Sequence, residues 1–323
     1  MVLAARSEPC KPAFALTRAC YLASMEQANT GTWEIRGKTV LLTGGNSGIG
    51  KATVIELVRR GAHVIFTSRD SAKGEAALRA IRASTADSGS GSVQVRSLDL
   101  ASFESIEALA RDLVAQASAL HVIVHNAGLI QAERQETEDG FELTFGTNHL
   151  GPFYLNRLLE PLLRASAPAR IVVVASNAHQ RLEQGLDFDD LQAEKSYEAV
   201  RVYSASKLAN ILFTRQLAKR LEGSGITCNC LHPGVVASSF NQEGGVGGMW
   251  GFTFKWLRML LITPEKGART SVFLCCEPGV ATVNGAYFDS SREAQPSAAA
   301  RDDEAASRLW EATTAMCPSI ESR

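Results

Sequence analysis

The chain has 323 residues, which fits one large α/β domain or two average domains. It is 45% hydrophobic, 21% charged and 7% aromatic, a composition typical of globular proteins with a hydrophobic core. The 33 Lys and Arg residues are balanced by 34 Asp and Glu residues, which argues against a nucleic-acid-binding protein with a basic surface.

Three further features bear on the cellular setting. No apolar run reaches the roughly 18 residues of a membrane span. The seven cysteines are an odd number in a long chain, which disfavours a dense disulfide framework and favours a reducing, cytoplasmic setting. Residues 1–35 show no steady periodicity and lack the pattern of a secretory signal, so we predict a flexible tail. An organelle transit peptide stays open as the alternative.

After this tail, short apolar runs alternate with longer segments of helical spacing. The runs are rich in Val and Ile and bounded by polar or Gly positions, as expected of buried strands. Helical spacing is clearest over Lys51–Arg60 and Phe103–Ala117. The predicted strands are Thr39–Leu42, His63–Phe66, Val93–Val95, Val122–Val124, Ile171–Val174 and Ile226–Cys230.

Alternation of strands and helices predicts an α/β fold with helices on both faces of a mostly parallel sheet. We expect one doubly wound, Rossmann-type domain over residues 36–290, with about seven strands. The remaining residues, 291–323, are predicted to be a C-terminal extension. Within it, the polar stretch up to residue 304 is expected to be a loop, followed by a short helix near Leu309 and Trp310.

The first chemical motif is a glycine-rich turn between the first strand and the first helix. Gly44, Gly48 and Gly50 follow the spacing G-x-x-x-G-x-G. Glycine lets the turn close and lets a pyrophosphate approach the backbone, and the N–H groups of the following helix then face that anion. A purely structural turn is the alternative, but the strand before and the helix after the motif favour dinucleotide binding.

The end of the second strand bears on the form of the cofactor. NAD sites usually carry an acidic residue about 20 positions after the glycine motif, to bind the ribose 2′-hydroxyl. Here Ser68 and Arg69 stand at that point. A guanidinium complements a 2′-phosphate, so we expect NADP(H) to be preferred over NAD(H). Two alternatives stay open: Arg69 pairs with a surface acid, or Asp70 reaches the ribose.

The second motif is Tyr203-Ser-Ala-Ser-Lys207. Tyr203 and Lys207 are four residues apart and so share one face of a helix. A free phenol titrates near a pKa of about 10, and a neighbouring ammonium stabilises the phenolate. The pair therefore predicts a tyrosine with a lowered pKa that acts as an acid and base. An exposed Tyr and Lys on a helix surface, which is a common pair, is the alternative.

Several short motifs follow one another along the chain, namely Thr43–Gly50, Asp99-Leu100, His125–Gly128, Thr147–Gly151, Val174–Ser176, Tyr203-x-x-x-Lys207 and His232–Gly234. They occur in the order found in the short-chain dehydrogenase/reductase family, and residues 36–290 resemble that family. Three further stretches, Phe188–Leu191, Ser206–Leu212 and Thr263–Ala268, resemble its retinol dehydrogenase-like branch.

The resemblance implies a role for each matching residue. Asn148 corresponds to the residue that holds a water in the proton relay, and Ser176 to the one that binds the substrate oxygen. Tyr203 corresponds to the acid and base, and Lys207 to the residue that binds the nicotinamide ribose. The positions implied in cofactor binding are Gly44, Asn46, Ser47, Gly48, Ile49, Gly50, Ser68, Arg69, Asp99, Leu100, Asn126, Ala127, Gly128, Tyr203, Lys207, Pro233, Gly234, Val236 and Ser238.

Substrate identity is expected to depend on the region after Pro233. Residues 240–262 are glycine-rich and then apolar, which predicts a lid over a pocket for a lipophilic substrate. A helix packed in the core and a contact with a membrane surface are the alternatives. The candidate substrate contacts are His179, Trp250, Phe252 and Phe254.

The resulting hypothesis is an oxidoreductase that transfers a hydride between NADP(H) and a small carbonyl or alcohol compound, such as a retinal-like aldehyde or ketone. Two other function classes stay open. One is a dinucleotide-binding sensor or scaffold without turnover, and the other is an epimerase or dehydratase with a resident NAD(P). No metal and no nucleic acid are expected, whereas a homodimer or homotetramer and a peripheral membrane contact stay open.

Overall fold

A computed structural model gives the architecture of residues 33–87, 89, 91–116, 119–234 and 262–320, which are the described residues of the chain. Several predictions fall outside them. They concern the tail up to residue 32 and nearly all of the lid. They also concern five side chains of the expected cofactor and substrate sites, namely Val236, Ser238, Trp250, Phe252 and Phe254.

Eight strands form one sheet in the described part of the chain, and the six predicted apolar runs lie in the first six of them. These runs are rich in branched side chains, which pack well on a pleated surface. The strands are β1 (Thr39–Leu42), β2 (His63–Ser68), β3 (Ser92–Ser97), β4 (Val122–His125), β5 (Ala169–Val174), β6 (Ile226–His232), β7 (Tyr287–Asp289) and β8 (Arg292–Ala294).

Helices follow the strands, as the alternating pattern predicts. A helical turn at Leu143–Phe145 and a π-helical stretch at Gly146–Leu150 lead into the fourth helix. Among the described residues, no helix is both long enough and apolar enough to cross a membrane. The helices are α1 (Gly48–Arg59), α2 (Ser71–Ser84), α3 (Phe103–Gln116), α4 (Gly151–Ala165), α5 (Ala199–Arg220), α6 (Pro264–Cys276) and α7 (Asp303–Met316).

The sheet has the strand order β3-β2-β1-β4-β5-β6-β7-β8. All neighbouring strands pair in parallel except β7 and β8, which are antiparallel. The Rossmann-type fold is confirmed, with eight described strands instead of about seven. The chain order reverses between β1 and β4, and a crevice outside the carboxyl ends of such strands is where doubly wound folds bind ligands.

The core has two layers because neighbouring strand residues point to opposite faces. On β1, Leu41 joins a cluster with apolar residues of α3, α4, α5 and α7. Val40 and Leu42 join the other cluster, with residues of α1, α2 and α6. The central strands are therefore buried on both faces, which explains why their sequences are continuous apolar runs and do not alternate.

The last two strands correct the predicted loop after residue 290. Strands β7 and β8 form a hairpin with the two-residue connection Ser290-Ser291. Both serines have positive φ angles, 50° and 59°, as a tight hairpin turn of this length requires. The usual Asn-Gly or Asp-Gly signal is missing, and the strands are only three residues each, so the hairpin was not predictable from its pattern.

The folded part begins before residue 36. Trp33 is buried, and its indole N–H donates a hydrogen bond to the Cys275 carbonyl at 2.8 Å. The guanidinium of Arg170 lies 4.0 Å from the centre of the indole and donates to the Leu274 carbonyl at 2.8 Å. This contact joins the start of the described chain to the carboxyl end of α6.

Candidate active site

The glycine-rich turn after β1 packs tightly against the segment after β4. Gly44 has a φ of +71°, a conformation that glycine adopts without strain. A β-carbon on Gly44 would lie 3.0 Å from the side chain of Ala127, and one on Gly50 would overlap the carbonyl oxygen of Gly44. Both positions therefore require glycine.

Thr43 and Asn126 fix the position of this turn. The Asn126 amide donates hydrogen bonds to the carbonyl oxygens of Thr43, at 2.9 Å, and Gly44, at 3.1 Å. The Thr43 hydroxyl accepts hydrogen bonds from the N–H groups of Asn126 and Ala127 at 3.0 and 3.1 Å. The Asn126 side chain thus braces the main chain of the glycine-rich turn. Thr43 belongs to the motif, but its bracing role was not predicted.

Helix α1 begins at this turn, and its N-terminus has the features of an anion-binding site. Its N-cap residue, Ser47, makes no side-chain capping hydrogen bond, and its first turn contains no acidic residue. The first N–H groups of a helix have no acceptor within the helix and carry partial positive charge. The N–H groups of Gly48, Ile49 and Gly50, preceded by the half-buried Asn46, thus fit the pyrophosphate of a dinucleotide.

At the end of β2, the side chain of Arg69 is exposed to solvent, whereas the carboxylate of Asp70 is hydrogen-bonded within the protein. The Ser68 hydroxyl is buried and donates to the carbonyl of Asp70 at 2.7 Å. The Asp70 carboxylate caps helix α2 by accepting from the Lys73 N–H at 2.9 Å. Arg69 is exposed and makes no ion pair with a described residue. The chain therefore holds the Asp70 carboxylate in a structural role and leaves the Arg69 guanidinium accessible.

The segment after β3 carries Asp99 and Leu100. The Asp99 carboxylate accepts a hydrogen bond from the N–H of Ala101 at 2.9 Å, and Asp99 is half-buried. Leu100 is buried, and its carbonyl packs so closely against Gly151 that a β-carbon there would overlap it. These contacts hold the end of β3 against the start of α4.

Helix α5 places Tyr203 and Lys207 on one face, as their spacing predicts. The Lys207 ammonium lies 5.6 Å from the centre of the Tyr203 ring. It donates a hydrogen bond to the carbonyl of Val174, the last residue of β5, at 3.0 Å. Lys207 is 3% exposed, and this burial lowers the pKa of its amine to about 8. The amine is thus fixed beside the carboxyl end of the sheet.

The acidity of Tyr203 differs from the prediction. Burial raises the pKa of the phenol to about 12, and a hydrogen bond with the Ser176 side chain opposes this increase. The Lys207 amine donates to a backbone carbonyl, and the net effect at Tyr203 is a pKa above that of a free phenol. At neutral pH, Tyr203 is a protonated phenol in contact with Ser176.

Asn148 is held by hydrogen bonds on both atoms of its amide. Its Nδ2 donates to the Leu129 carbonyl at 2.8 Å and to the Ser206 hydroxyl at 3.0 Å. Its Oδ1 accepts from the Leu129 N–H at 2.7 Å. Asn148 lies in the π-helical stretch before α4, and such stretches occur often at functional sites. Ser206, to which the sequence analysis assigned no role in the site, completes this arrangement.

Gly128 shows how closely these groups converge. A β-carbon on Gly128 would lie 3.2 Å from Asn148 Oδ1 and 3.4 Å from Lys207 Nζ. The hydrogen bond of Ser176 with Tyr203 adds the other two side chains. The structure therefore brings all four predicted catalytic residues to the carboxyl ends of β4 and β5.

His179 occupies a different place from the predicted substrate contact. The side chain is 0% exposed, so no ring atom is open to a substrate. Its Nδ1 lies 2.6 Å from the Ser176 carbonyl, and the Ser297 N–H donates to its Nε2 at 3.2 Å. Both ring nitrogens are occupied within the protein, and His179 supports the turn that carries Ser176.

The segment after β6 ends the described part of the cofactor crevice. Pro233 and Gly234 are half-buried, and Gly234 has a φ of +85°. A β-carbon on Gly234 would meet the Ile262 side chain at 2.5 Å. Gly234 and Ile262, the described residues on either side of the 235–261 segment, are therefore in contact.

The remaining cysteines and histidines give no second reactive cluster in the described ranges. Cys228 and Cys230 are fully buried thiols on β6, and burial raises the pKa of Cys230 to about 12. Among the residues that the structure describes, no three His, Cys, Asp or Glu side chains are grouped to hold a metal ion.

Comparison with known proteins agrees with this geometry. A family model described as Enoyl-(Acyl carrier protein) reductase matches residues 44–289. Retinol dehydrogenase 14 of Mus musculus is 42% identical over 290 residues, which cover 87% of this chain and 86% of the relative. The chain belongs to the short-chain dehydrogenase/reductase family.

Solved structures share the fold of this short-chain dehydrogenase/reductase. The crystal structure of an uncharacterized protein from Mycobacterium paratuberculosis has a TM-score of 0.69 and 32% identity, covering 88% of this chain and 94% of that chain. The RhlG/NADP active-site complex of Pseudomonas aeruginosa has a TM-score of 0.63 and 25% identity, covering 80% of this chain and 96% of that chain. Similarity thus extends over most of the chain.

Proposed function

We propose that this chain is an NADP(H)-dependent oxidoreductase that interconverts a lipophilic carbonyl compound of the retinal type and its alcohol. The observation that carries the proposal is the convergence of Tyr203, Lys207, Ser176 and Asn148 beside the glycine-rich crevice. Because the Tyr203 phenol and the Ser176 hydroxyl are close enough to bond to each other, both can turn to donate to one substrate oxygen that replaces this contact.

The cofactor crevice fits a dinucleotide. A β-carbon on Gly44 or Gly50 would contact neighbouring atoms too closely, so the turn needs glycine at both positions. The N-terminus of α1 offers backbone N–H donors to the pyrophosphate. For the form of the cofactor, the exposed Arg69 guanidinium suits a 2′-phosphate. The alternative that Asp70 binds the ribose hydroxyl is disfavoured because its carboxylate caps α2. RhlG, a structural relative, was solved in complex with NADP.

The protein's own groups account for binding and proton transfer in the proposed reduction. When bound, the nicotinamide supplies the hydride to the carbonyl carbon. Negative charge then develops on the carbonyl oxygen, where the Ser176 hydroxyl and the Tyr203 phenol donate hydrogen bonds. Tyr203 gives its proton to that oxygen. Lys207 orients the ribose and places a positive charge near the phenolate that remains.

The high pKa of Tyr203 favours the reducing direction at neutral pH. A group with a pKa of about 12 carries its proton at pH 7 and is ready to act as an acid. The reverse reaction needs the phenolate, which is scarce at that pH. We therefore expect carbonyl reduction to be faster than alcohol oxidation when both are measured at neutral pH.

The substrate class rests on the relatives and on the sequence of the lid. Retinol dehydrogenases 11 to 14 from mammals are 41–43% identical to this chain over most of its length. The 240–262 segment is rich in glycine, aromatic and aliphatic residues, which suits a cover over a lipophilic substrate. We place the enzyme in the cytoplasm, with a peripheral contact to a membrane surface through this segment as a further hypothesis.

The test is a substrate panel with the purified chain. All-trans-retinal, other lipophilic aldehydes and ketones are assayed with NADPH and with NADH in parallel, and Tyr203→Phe serves as the inactive control. We expect consumption of NADPH with retinal and a lower rate with NADH. Binding of NADPH without turnover of any carbonyl compound would support a sensor or scaffold instead. Conversion of a substrate without net consumption of NADPH would support an epimerase or dehydratase.

A further inference from the structure

We propose that the segment after β8, residues 297–316, positions the catalytic centre through two buried histidines. His149 is the neighbour of Asn148 in the chain, and His179 lies three residues after Ser176. The Nε2 atom of each histidine is hydrogen-bonded to the C-terminal segment, that of His149 to Thr313 and that of His179 to Ser297. The inference rests on the catalytic roles proposed for Asn148 and Ser176, and it assigns His149, His179 and Thr313 as positioning residues.

The first connection runs from α7 to the π-helical stretch. The Thr313 hydroxyl is 3.1 Å from His149 Nε2, and both side chains are buried. The other nitrogen, His149 Nδ1, is 3.3 Å from Asn210 Oδ1. Asn210 lies about one turn after Ser206, which accepts a hydrogen bond from the amide of Asn148. His149 therefore links α7, α5 and the stretch that carries Asn148.

Aromatic packing supports the same connection. The His149 ring lies 5.1 Å from the ring of Phe145 and 6.1 Å from that of Phe213, measured between centres. On α7, Trp310 stacks on Phe213 at 6.1 Å and an interplanar angle of 13°. It also meets the edge of Phe153 at 4.9 Å. Helix α7 is thus packed against the aromatic side chains that surround His149.

The second connection runs from Ser297 to the turn after β5. The Ser297 backbone N–H must be a donor, so Nε2 of His179 is the acceptor and Nδ1 carries the ring proton. Nδ1 then donates to the Ser176 carbonyl at 2.6 Å. The ring also packs against Tyr287 of β7, with 5.4 Å between centres. The main chain of Ser176 is thereby fixed to the C-terminal segment.

Both histidines serve best as neutral rings. A neutral imidazole has one donor and one acceptor, and each of these rings faces partners of both kinds. Burial agrees with this state, because it lowers the pKa of His149 to about 4 and also lowers that of His179. The two connections therefore persist unchanged across the neutral range.

The hydrogen bonds of His149 and His179 matter for turnover because the rate is sensitive to small displacements of the catalytic side chains. A displacement of about 1 Å at a reacting group can cost roughly a hundredfold in rate. Thr313 and Ser297 are not among the residues that hold the dinucleotide. Loss of a link should therefore lower kcat and leave the binding of NADPH unchanged.

The first test compares two substitutions at one position. Thr313→Val keeps the shape of the side chain but removes the hydroxyl, whereas Thr313→Ser keeps the hydroxyl. We expect Thr313→Val to lower kcat for retinal reduction about threefold to tenfold, with KM for NADPH unchanged, and Thr313→Ser to retain most of the wild-type kcat. Equal kcat values for Thr313→Val and the wild type, or equal losses in both variants, would overturn the inference at His149.

The second test uses a matched histidine at the other end of the sheet. His121 accepts a hydrogen bond from the Thr39 N–H at 3.1 Å, far from Ser176 in the strand register. His179→Phe and His121→Phe each remove one histidine that binds the main chain. We expect only His179→Phe to lower kcat, by about tenfold, even where both variants lose thermal stability. Equal kcat values for these two variants would overturn the inference at His179.

Both tests use conditions in which circular dichroism shows each variant to be folded. An active wild type with unaffected Thr313→Val and His179→Phe variants would overturn this inference alone. A wild type that turns over none of the carbonyl compounds would overturn the proposed function, and this inference with it. The two failures are thus distinguishable in one set of assays.

Discussion

The proposed cofactor crevice and the proposed catalytic centre lie at the same edge of the sheet but are built differently. The crevice is made mainly of main chain from one strand, one turn and one helix, and its key positions, Gly44 and Gly50, have no side chains. The catalytic centre is made of side chains from separate segments, among them Asn148, Ser176 and Tyr203. A site made of main chain loses function when a substitution adds side-chain atoms. A site made of side chains loses function when a substitution removes a functional group or moves the residues that hold it in position.

The largest effect is expected in the catalytic centre, from Tyr203→Phe. This change removes the proton donor and leaves the ring, so we expect kcat to fall by about 10²–10⁴. NADPH binding should persist, because the crevice keeps its main chain. Steady-state kinetics and a fluorescence titration with NADPH measure the two effects. Turnover above about a tenth of wild type would contradict the acid role of Tyr203.

The crevice should respond most strongly to Gly50→Ala. The new methyl group overlaps the Gly44 carbonyl oxygen, so the turn must shift, and we expect the Kd for NADPH to rise about a hundredfold. Gly223→Ala is the matched control, because Gly223 also lies in a turn, with a φ of +73°, but has no atom within 4 Å of an added β-carbon. Similar NADPH affinities in the two variants would show that the turn is not the binding element.

A smaller change is expected when the crevice loses the guanidinium. Arg69→Gln removes the positive charge at the end of β2 and should lower the preference for NADPH over NADH about tenfold to thirtyfold. Asp70→Asn keeps a capping oxygen for α2 and should leave that preference unchanged. The ratio of kcat/KM for the two cofactors is the measurement. If the ratio changes in Asp70→Asn and not in Arg69→Gln, the result would favour an NAD site.

The smallest expected effect is on pH dependence and concerns the amine of Lys207. Its pKa is lowered to about 8, so the positive charge is present below pH 8 and is lost as the pH rises through that value. We expect kcat/KM for reduction to decline about twofold to fivefold between pH 7 and pH 9, while Tyr203, with its pKa of about 12, keeps its proton. A flat profile up to pH 9.5 would show that the charge of Lys207 is not needed.

The crevice was the more predictable region, for a physical reason. Glycine spacing, a strand before it and a helix after it are local in the sequence and fix a local geometry. The i,i+4 spacing of Tyr203 and Lys207 is also local, and the structure has both on one face of α5. The six predicted strands and the parallel, doubly wound order follow from apolar runs buried on both faces.

The other features depend on contacts between distant segments. The phenol pKa was misjudged because burial, which the sequence does not reveal, outweighs the effect expected of the amine. His179 was expected at the substrate, but its partner is Ser297, which is 118 positions away. The β7–β8 hairpin lacks the glycine that would have marked its turn. The first two errors concern burial and contacts that the sequence does not reveal, and the third concerns a local turn that lacks its usual residues.

The β7–β8 hairpin also limits the pairing of this sheet edge with strands of other molecules. Strand β8 forms one edge of the sheet, with only three residues, two of them the exposed Arg292 and Glu293. A short edge with charged side chains offers few unpaired backbone groups to a strand of another molecule. The antiparallel turn therefore ends the growth of the sheet on that side and protects the folded chain against edge-to-edge aggregation.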